Sequence, residues 1–280
     1  MRNNKILKRR RLNSSEEGVA ATVGTIMALL VFLSLLSLIT NQYVPVWKED
    51  TEAFHMDEVM TQFSYLKGNI DGLIMNDFTD YPMYSTVRLG SEGVPLFAFR
   101  TPGELQLGLD NNMWFNFTEA GTNRSFAAKG SLSLSVANME YEPQTFVYEN
   151  GAIILQQSER AVIRAAPPIR IEEHGDDFLV RLTMVDMIGA EESMGGTGAV
   201  GITTELWSTT RRTVNNPDDL TIEFTTRYPD AWETWFNEET EVVNITVGEP
   251  NGGLSTIAIS IDDVSSIIYT YAKVNVRMSM

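Results

Sequence analysis

Three hydrophobic rhythms follow one another along the chain. From Gly18 to Thr40 the sequence GVAATVGTIMALLVFLSLLSLIT runs for 23 residues with no charge and no polar face. At about 1.5 Å rise per residue such a helix crosses the ~30 Å hydrocarbon layer of a bilayer. Its polar members are Thr and Ser, whose hydroxyls bond back to carbonyls of their own helix. From Lys48 to Ile74 the apolar positions become periodic: Met56, Val59, Phe63, Leu66, Ile70 and Leu73, in steps of 3, 4, 3, 4 and 3. That spacing draws one stripe along an amphipathic helix. Beyond residue 80 or so the period falls to 2, with turn residues between short runs.

The period-2 region predicts strands over Ser85–Leu89, Val94–Phe99, Leu105–Leu109, Met113–Phe117 and Ser131–Val136. Further strands are expected over Thr145–Tyr148, Ala152–Gln156, Ala161–Arg164, Ile169–Glu173 and Phe178–Val185. The last set is Val200–Ser208, Leu220–Thr226, Val242–Val247, Leu254–Ile261 and Ile267–Met278. Asn150-Gly151 between two of these runs specifies a hairpin with a two-residue turn. The glycine-rich stretch Glu191–Gly198 reads as a flexible loop. Pro229–Phe236 reads as a short helix with Trp232, Trp235 and Phe236 on one face, suited to core packing or to an aromatic ligand platform. The fold class is therefore α+β: an N-terminal transmembrane helix continuing into an amphipathic helix, then an all-β, sandwich-like extracellular domain. The segments are 1–17 (basic leader), 18–41 (membrane helix), 42–78 (juxtamembrane helix) and 79–280 (β domain). Pro45, lacking an N–H, is expected to break or kink the helix between the two helical segments.

Two uses are open for the juxtamembrane stripe. It lies on the chain's own β domain, or it is a self-assembly seam for another copy. Glu49, Asp50 and Glu52 suit the positive end of a helix beginning there, and His55, beside the stripe, is expected to be half exposed.

Charge orients the helix. Residues 1–17 carry six basic and two acidic side chains, net +4; residues 18–40 carry none, which leaves −20 of the total −16 on the remainder. The cluster Lys8-Arg9-Arg10-Arg11 favours a cytoplasmic N-terminus, and Tyr43 and Trp47 fall where aromatic rings favour the opposite interface. An acidic outer region repels phosphate, so nucleic acid is not an expected partner. A removable secretory signal fits less well, because the apolar run exceeds the usual ~7–15 residues and no small-x-small site follows it. There is no cysteine, hence no disulfide and no thiol chemistry.

The stretch Gly18-Val19-Ala20-Ala21-Thr22-Val23-Gly24-Thr25-Ile26, following basic residues and opening a long apolar helix, resembles the N-terminus of archaeal type IV pilin-like proteins with a class III signal peptide. That resemblance implies a prepilin-peptidase-type enzyme cutting beside Gly18, at the Gly18–Val19 boundary. It also implies a retained apolar helix that packs with copies of itself or with other pilin-like subunits. Tyr148–Ala152 likewise resembles a hairpin of such outer domains. Two positions depart from the pattern. Glu16-Glu17 stand where a basic residue usually precedes the glycine, and Val23 stands where bacterial pilins have glutamate. The expected function is a pilin-like cell-surface structural subunit. The alternative is an uncleaved single-pass surface protein whose β-sandwich binds a ligand or partner.

Chemistry is sparse. His55 and His174 are the only histidines, and His174-Gly175-Asp176-Asp177 reads as a hairpin turn. No H-E-x-x-H, G-x-S-x-G or phosphate-loop motif occurs. Asn215–Asp219 is rich in oxygen ligands but lacks EF-hand spacing. No catalytic residue, metal or cofactor is expected, and membrane lipid is the first partner. Three triplets fit the N-glycosylation pattern in the outer region, at Asn116, Asn123 and Asn244.

Overall fold

A computed structural model describes residues 4–94, 99–175, 177–239 and 243–280, with side chains from Gly18 onward except those of His174 and Val243. One helical column leads the chain: α1 (Asn4–Leu38), a π-helical turn (Ile39–Tyr43) and α2 (Val44–Met75). Pro45 explains the turn between them. Its missing N–H and its ring disrupt an α-helical register, and the wider turn absorbs the fault by bonding the Val44 N–H to the Ile39 carbonyl, five residues back. The helix is adjusted there, not ended. Because α2 starts at Val44, Glu49, Asp50 and Glu52 lie beyond its first turn.

Among the described residues fourteen strands follow: β1 (Pro82–Arg88), β2 (Gly103–Glu119), β3 (Thr122–Val136), β4 (Gln144–Glu149), β5 (Ala152–Gln157), β6 (Arg160–Ala165) and β7 (Ile169–His174). After these come β8 (Asp177–Ile188), β9 (Glu192–Gly196), β10 (Ala199–Asn215), β11 (Asp218–Thr226), β12 (Val243–Val247), β13 (Ser255–Ile261) and β14 (Val264–Ser279), with helix α3 (Pro229–Glu239) inserted before β12. A five-stranded sheet has the order β1-β10-β14-β8-β7. A nine-stranded sheet runs β12-β13-β11-β2-β3-β4-β5-β6, with β9 added beside the first half of β2. Among the described residues the strands pair antiparallel except β8 with β14.

Two buried clusters fill the space between the sheets, each drawing side chains from both. The first takes Leu105, Leu107, Leu132 and Leu134 from one sheet, Ile202, Val274 and Val276 from the other, and the whole stripe of α2. The second holds Phe115, Phe224, Trp232, Phe236 and Ile259. Trp232 stacks on Phe224 at 4.3 Å between ring centroids, so Trp232 and Phe236 serve the core reading of that helix.

Several sequence expectations change. Glu191–Gly198 contains strand β9, which pairs with β2 through its backbone. Leu105–Leu109 and Met113–Phe117 are one strand, interrupted where Leu109, Asp110 and Asn111 bulge out between the Gly108–Ser131 and Asn112–Lys129 pairs. The predicted strand over Val94–Phe99 falls largely outside the described residues. The hairpin at Asn150-Gly151 is present, with φ of 46° and 80° and Glu149 opposite Ala152. That left-handed pair is the geometry the Asn-Gly sequence favours.

Candidate membrane anchor and assembly surface

Within α1 and the π turn every side chain from Gly18 to Tyr43 is exposed. Hydroxyls of Thr22, Thr25, Ser34 and Thr40 are turned back to their own helix. Thr22 donates to the Gly18 carbonyl, Thr25 to Thr22, Ser34 to Val31 and Thr40 to Leu36, each at 2.8 Å. Asn41 does the same with its side-chain amide to the Ser37 carbonyl. With these polar atoms satisfied inside the helix, the surface from Gly18 to Ile39 is largely hydrocarbon, and a bare helix of this kind suits lipid or another apolar helix and not water. The span is long and apolar enough to cross a membrane. Gly18 and Val19 both lie inside α1, and a β-carbon on Gly18 would meet no neighbour within 4 Å.

The α2 stripe has a different fate from the one assigned to a self-assembly seam. Met56, Val59, Phe63, Leu66, Ile70 and Leu73 are at most 2% exposed, packed in the first core. Burial of six such side chains contributes on the order of 10 kcal/mol. The stripe is therefore used by the chain's own sheets and is not open to a second copy.

Polar clamps hold the same face. The Glu52 carboxylate, 0% exposed, accepts the backbone N–H groups of Met139, Glu140 and Tyr141 at 2.9–3.1 Å and the Thr101 hydroxyl at 2.5 Å. Lys48 lies 3.3 Å from it. Burial by itself would raise the Glu52 pKa, but the hydrogen bonds from Thr101 and the loop amides outweigh it and bring the value down to about 2. His55, expected to be half exposed, is buried, with Nε2 3.1 Å from the Arg88 carbonyl. Burial lowers its pKa. Gln62 accepts the Arg88 N–H at 2.8 Å, and Asn69 donates to the Ser85 hydroxyl at 2.9 Å. The shaft and the domain are thereby joined along the length of α2.

With the inner face occupied, the side of the helix opposite Phe63 is what remains. Tyr43, Trp47, Phe54, Tyr65 and Met75 project there, from 46% to 75% exposed. Gly68 and Gly72 lie on the same side, and a β-carbon on either would meet nothing within 4 Å. Tyr43 and Trp47 form a tilted ring pair at 6.2 Å, at the mouth of the apolar segment.

Of the three sequon asparagines, Asn116 and Asn123 lie on neighbouring strands β2 and β3, while Asn244 is exposed on the terminal strand β12. Among the described residues no cluster of three Asp, Glu or His side chains is arranged to hold a metal ion. A second buried acid is Glu149, 2% exposed beside the Asn150-Gly151 turn. It accepts a hydrogen bond from the Trp232 indole N–H at 2.9 Å. It lines a polar cavity of about 40 Å³ that the β2 bulge opens between Asp110, Asn111, Ser131, Arg227 and Tyr228. Burial pushes its pKa up to about 7, aided by the Asp110 charge and opposed by hydrogen bonds from Thr226, Trp232 and Asn111.

The sequence reading missed Glu52 and Lys48, though a signal was there. They continue the stripe N-terminally in steps of four, 48, 52 and 56, so a charged pair stood at core positions. Glu149 carried no comparable mark, since its burial depends on α3 closing over the hairpin.

The chain belongs to the DUF7289 family, a family of unknown function, whose pattern matches residues 103–277. Comparison with curated proteins and with solved structures gives no match.

Proposed function

We propose that this chain is a pilin-like structural subunit of the cell surface. Its N-terminus is cytoplasmic, α1 resides in the membrane, and the β domain stands outside. α1 and the outward face of α2 pack against other copies. The observation that carries this reading is the continuous helical column from Gly18 to Met75: among the described residues its apolar half has no packing partner, and its outer half keeps a second face exposed after the first is buried. Gly68 and Gly72, spaced by four, permit close approach of another helix, and Phe54 and Tyr65 supply contact area. The basic leader and the aromatic pair at Tyr43 and Trp47 support the orientation.

A second reading has one observation in its favour. Glu16-Glu17 before Gly18 suits an anchor that is never cut, a surface protein acting through its β-sandwich. Mass spectrometry of the mature N-terminus in cells that carry the peptidase separates the two. A chain beginning beside Gly18 supports the subunit, and retention of residues 1–17 refutes its processing.

Assembly is tested by cross-linking, with a clean background because the chain has no cysteine. Phe54→Cys and Tyr65→Cys should give disulfide-linked dimers in membranes, whereas Val59→Cys, inside the core, should not. Monomers from all three would overturn the proposed face.

A further inference from the structure

The three N-glycosylation triplets are not equivalent once the strands are paired. In the β2–β3 hairpin, Asn116 stands opposite Ser125 and Thr118 opposite Asn123. Each asparagine therefore faces the hydroxyl residue of the other triplet. The Ser125 hydroxyl donates to the Asn116 side-chain oxygen at 2.6 Å, and the Thr118 hydroxyl donates to that of Asn123 at 2.8 Å. The acceptor pattern needs both an asparagine amide and a hydroxyl two residues on. In this hairpin both ends of each triplet are engaged by the other. Asn116 is held further, since β2 also pairs with β11 on its other side, with Thr221 opposite Asn116.

Asn244-Ile245-Thr246 is placed differently. It lies on β12 (Val243–Val247), at the end of the nine-stranded sheet and, among the described residues, bonded to β13 alone. Ile245 turns toward the second core while Asn244 and Thr246 are both exposed on the solvent side. The side-chain nitrogen of Asn244 has Asp262 at the outer limit of a hydrogen bond, 3.5 Å, whereas the hairpin contacts, which also lie at the surface, are tight at 2.6 and 2.8 Å. Among the described residues nothing pairs with the other backbone edge of its strand, so an extended stretch can be gripped there without undoing the sheet.

We infer that Asn244 is the N-glycan acceptor of the folded domain, and that hairpin closure withholds Asn116 and Asn123. The donor class is a glycosyl phosphate carried on a membrane lipid. The Asn244 side-chain nitrogen bonds to the anomeric carbon, the bond from that carbon to the phosphate oxygen breaks, and the lipid phosphate leaves with the electron pair. The amide proton passes to a base of the transferase. A bulky, hydrated glycan on β12 would also cover an edge that otherwise invites strand pairing with other chains. The inference rests on the outer domain facing out of the cell.

The test is glycopeptide mass spectrometry on the full chain purified from the cells that make it. The expected result is glycan on the Asn244 peptide, none on the Asn116 and Asn123 peptides, and loss of the whole glycan mass in Asn244→Gln. As a second arm, a synthetic peptide covering residues 112–127 is given to the same cells' membranes with their lipid-linked donor. Modification of the free peptide at Asn116 or Asn123 shows that folding withholds those sites; an unmodified peptide overturns that half of the inference. External protease on intact cells separates the two levels. A digested domain with bare Asn244, or with glycan on Asn116 or Asn123, overturns the inference alone. A fully protected domain overturns the outward orientation, and the inference with it.

Discussion

Glu149→Gln removes a buried charge while keeping the acceptor that Trp232 needs. In the folded chain the carboxyl titrates near 7, against 4.5 for an ordinary glutamate. Between those values the folded state holds a proton that the unfolded state has released, so stability falls as pH rises from 4.5 to about 7. Below that window both states are protonated; above it both are ionised and the penalty is constant. Two and a half units correspond to about 3 kcal/mol. The glutamine variant should therefore match the parent near pH 4.5 and exceed it by about 2–3 kcal/mol at pH 8. Urea unfolding of the full chain in detergent, followed by tryptophan fluorescence across that range, measures the difference. Glu52 and His55 also make stability pH-dependent, but they are common to both proteins and cancel. A constant difference between pH 5 and pH 8, or a variant less stable at pH 8, would refute the reasoning.

Glu52→Ala leaves three loop amides and the Thr101 hydroxyl without their acceptor and Lys48 without its partner, so it should cost at least about 3 kcal/mol in thermal unfolding. In the parent, the Glu52 contribution is present above pH 4.5 and is lost as pH falls from 4.5 toward about 2, since its folded pKa is depressed; a Glu52→Gln variant should lose that acid limb of the stability curve. Phe63→Ala should cost about 3–5 kcal/mol while leaving membrane insertion unchanged, because Phe63 serves the core and not the anchor; an unchanged melting temperature would return the stripe to an assembly role. Gly151→Ala should destabilise by about 2 kcal/mol or more, since the position has φ of 80° and a β-carbon would strike the Pro168 ring; circular dichroism melting measures it.

The apolar column and the change from period 3.6 to period 2 were legible because each is a local pattern that tertiary structure does not alter. The same holds for the Asn150-Gly151 turn, which its two residues specify by backbone preference alone. Strand β9 was not legible: Ser193, Gly195 and Gly196 give no alternating signal, and its pairing with β2 comes from backbone groups of a distant segment. The continuous β2 was hidden by Leu109–Asn111, where a bulge mimics the turn that would separate two strands. For the shaft, the stripe was read correctly as a surface that must be covered. What covers it depends on strands as distant as β10 and β14, and no local spacing encodes that. The remaining outward face was also obscure, because Trp47, Phe54, Tyr65 and Met75 alternate with Asp50, Asp57 and Thr61 and look like ordinary solvent positions until the opposite side is filled.

The placement of β14 carries a consequence for biogenesis. This strand, residues 264–279, is third in the five-stranded sheet, between β10 and β8, and it provides Val274 and Val276 to the core around α2. The stripe from Met56 to Leu73 finds its first partner in β1, just after α2, but its core is completed only by strands encoded up to some two hundred residues later, a long-range closure that slows folding. During that interval the stripe of α2 is only partly covered. An incompletely covered apolar face of this kind is what exposes a folding intermediate to aggregation and proteolysis.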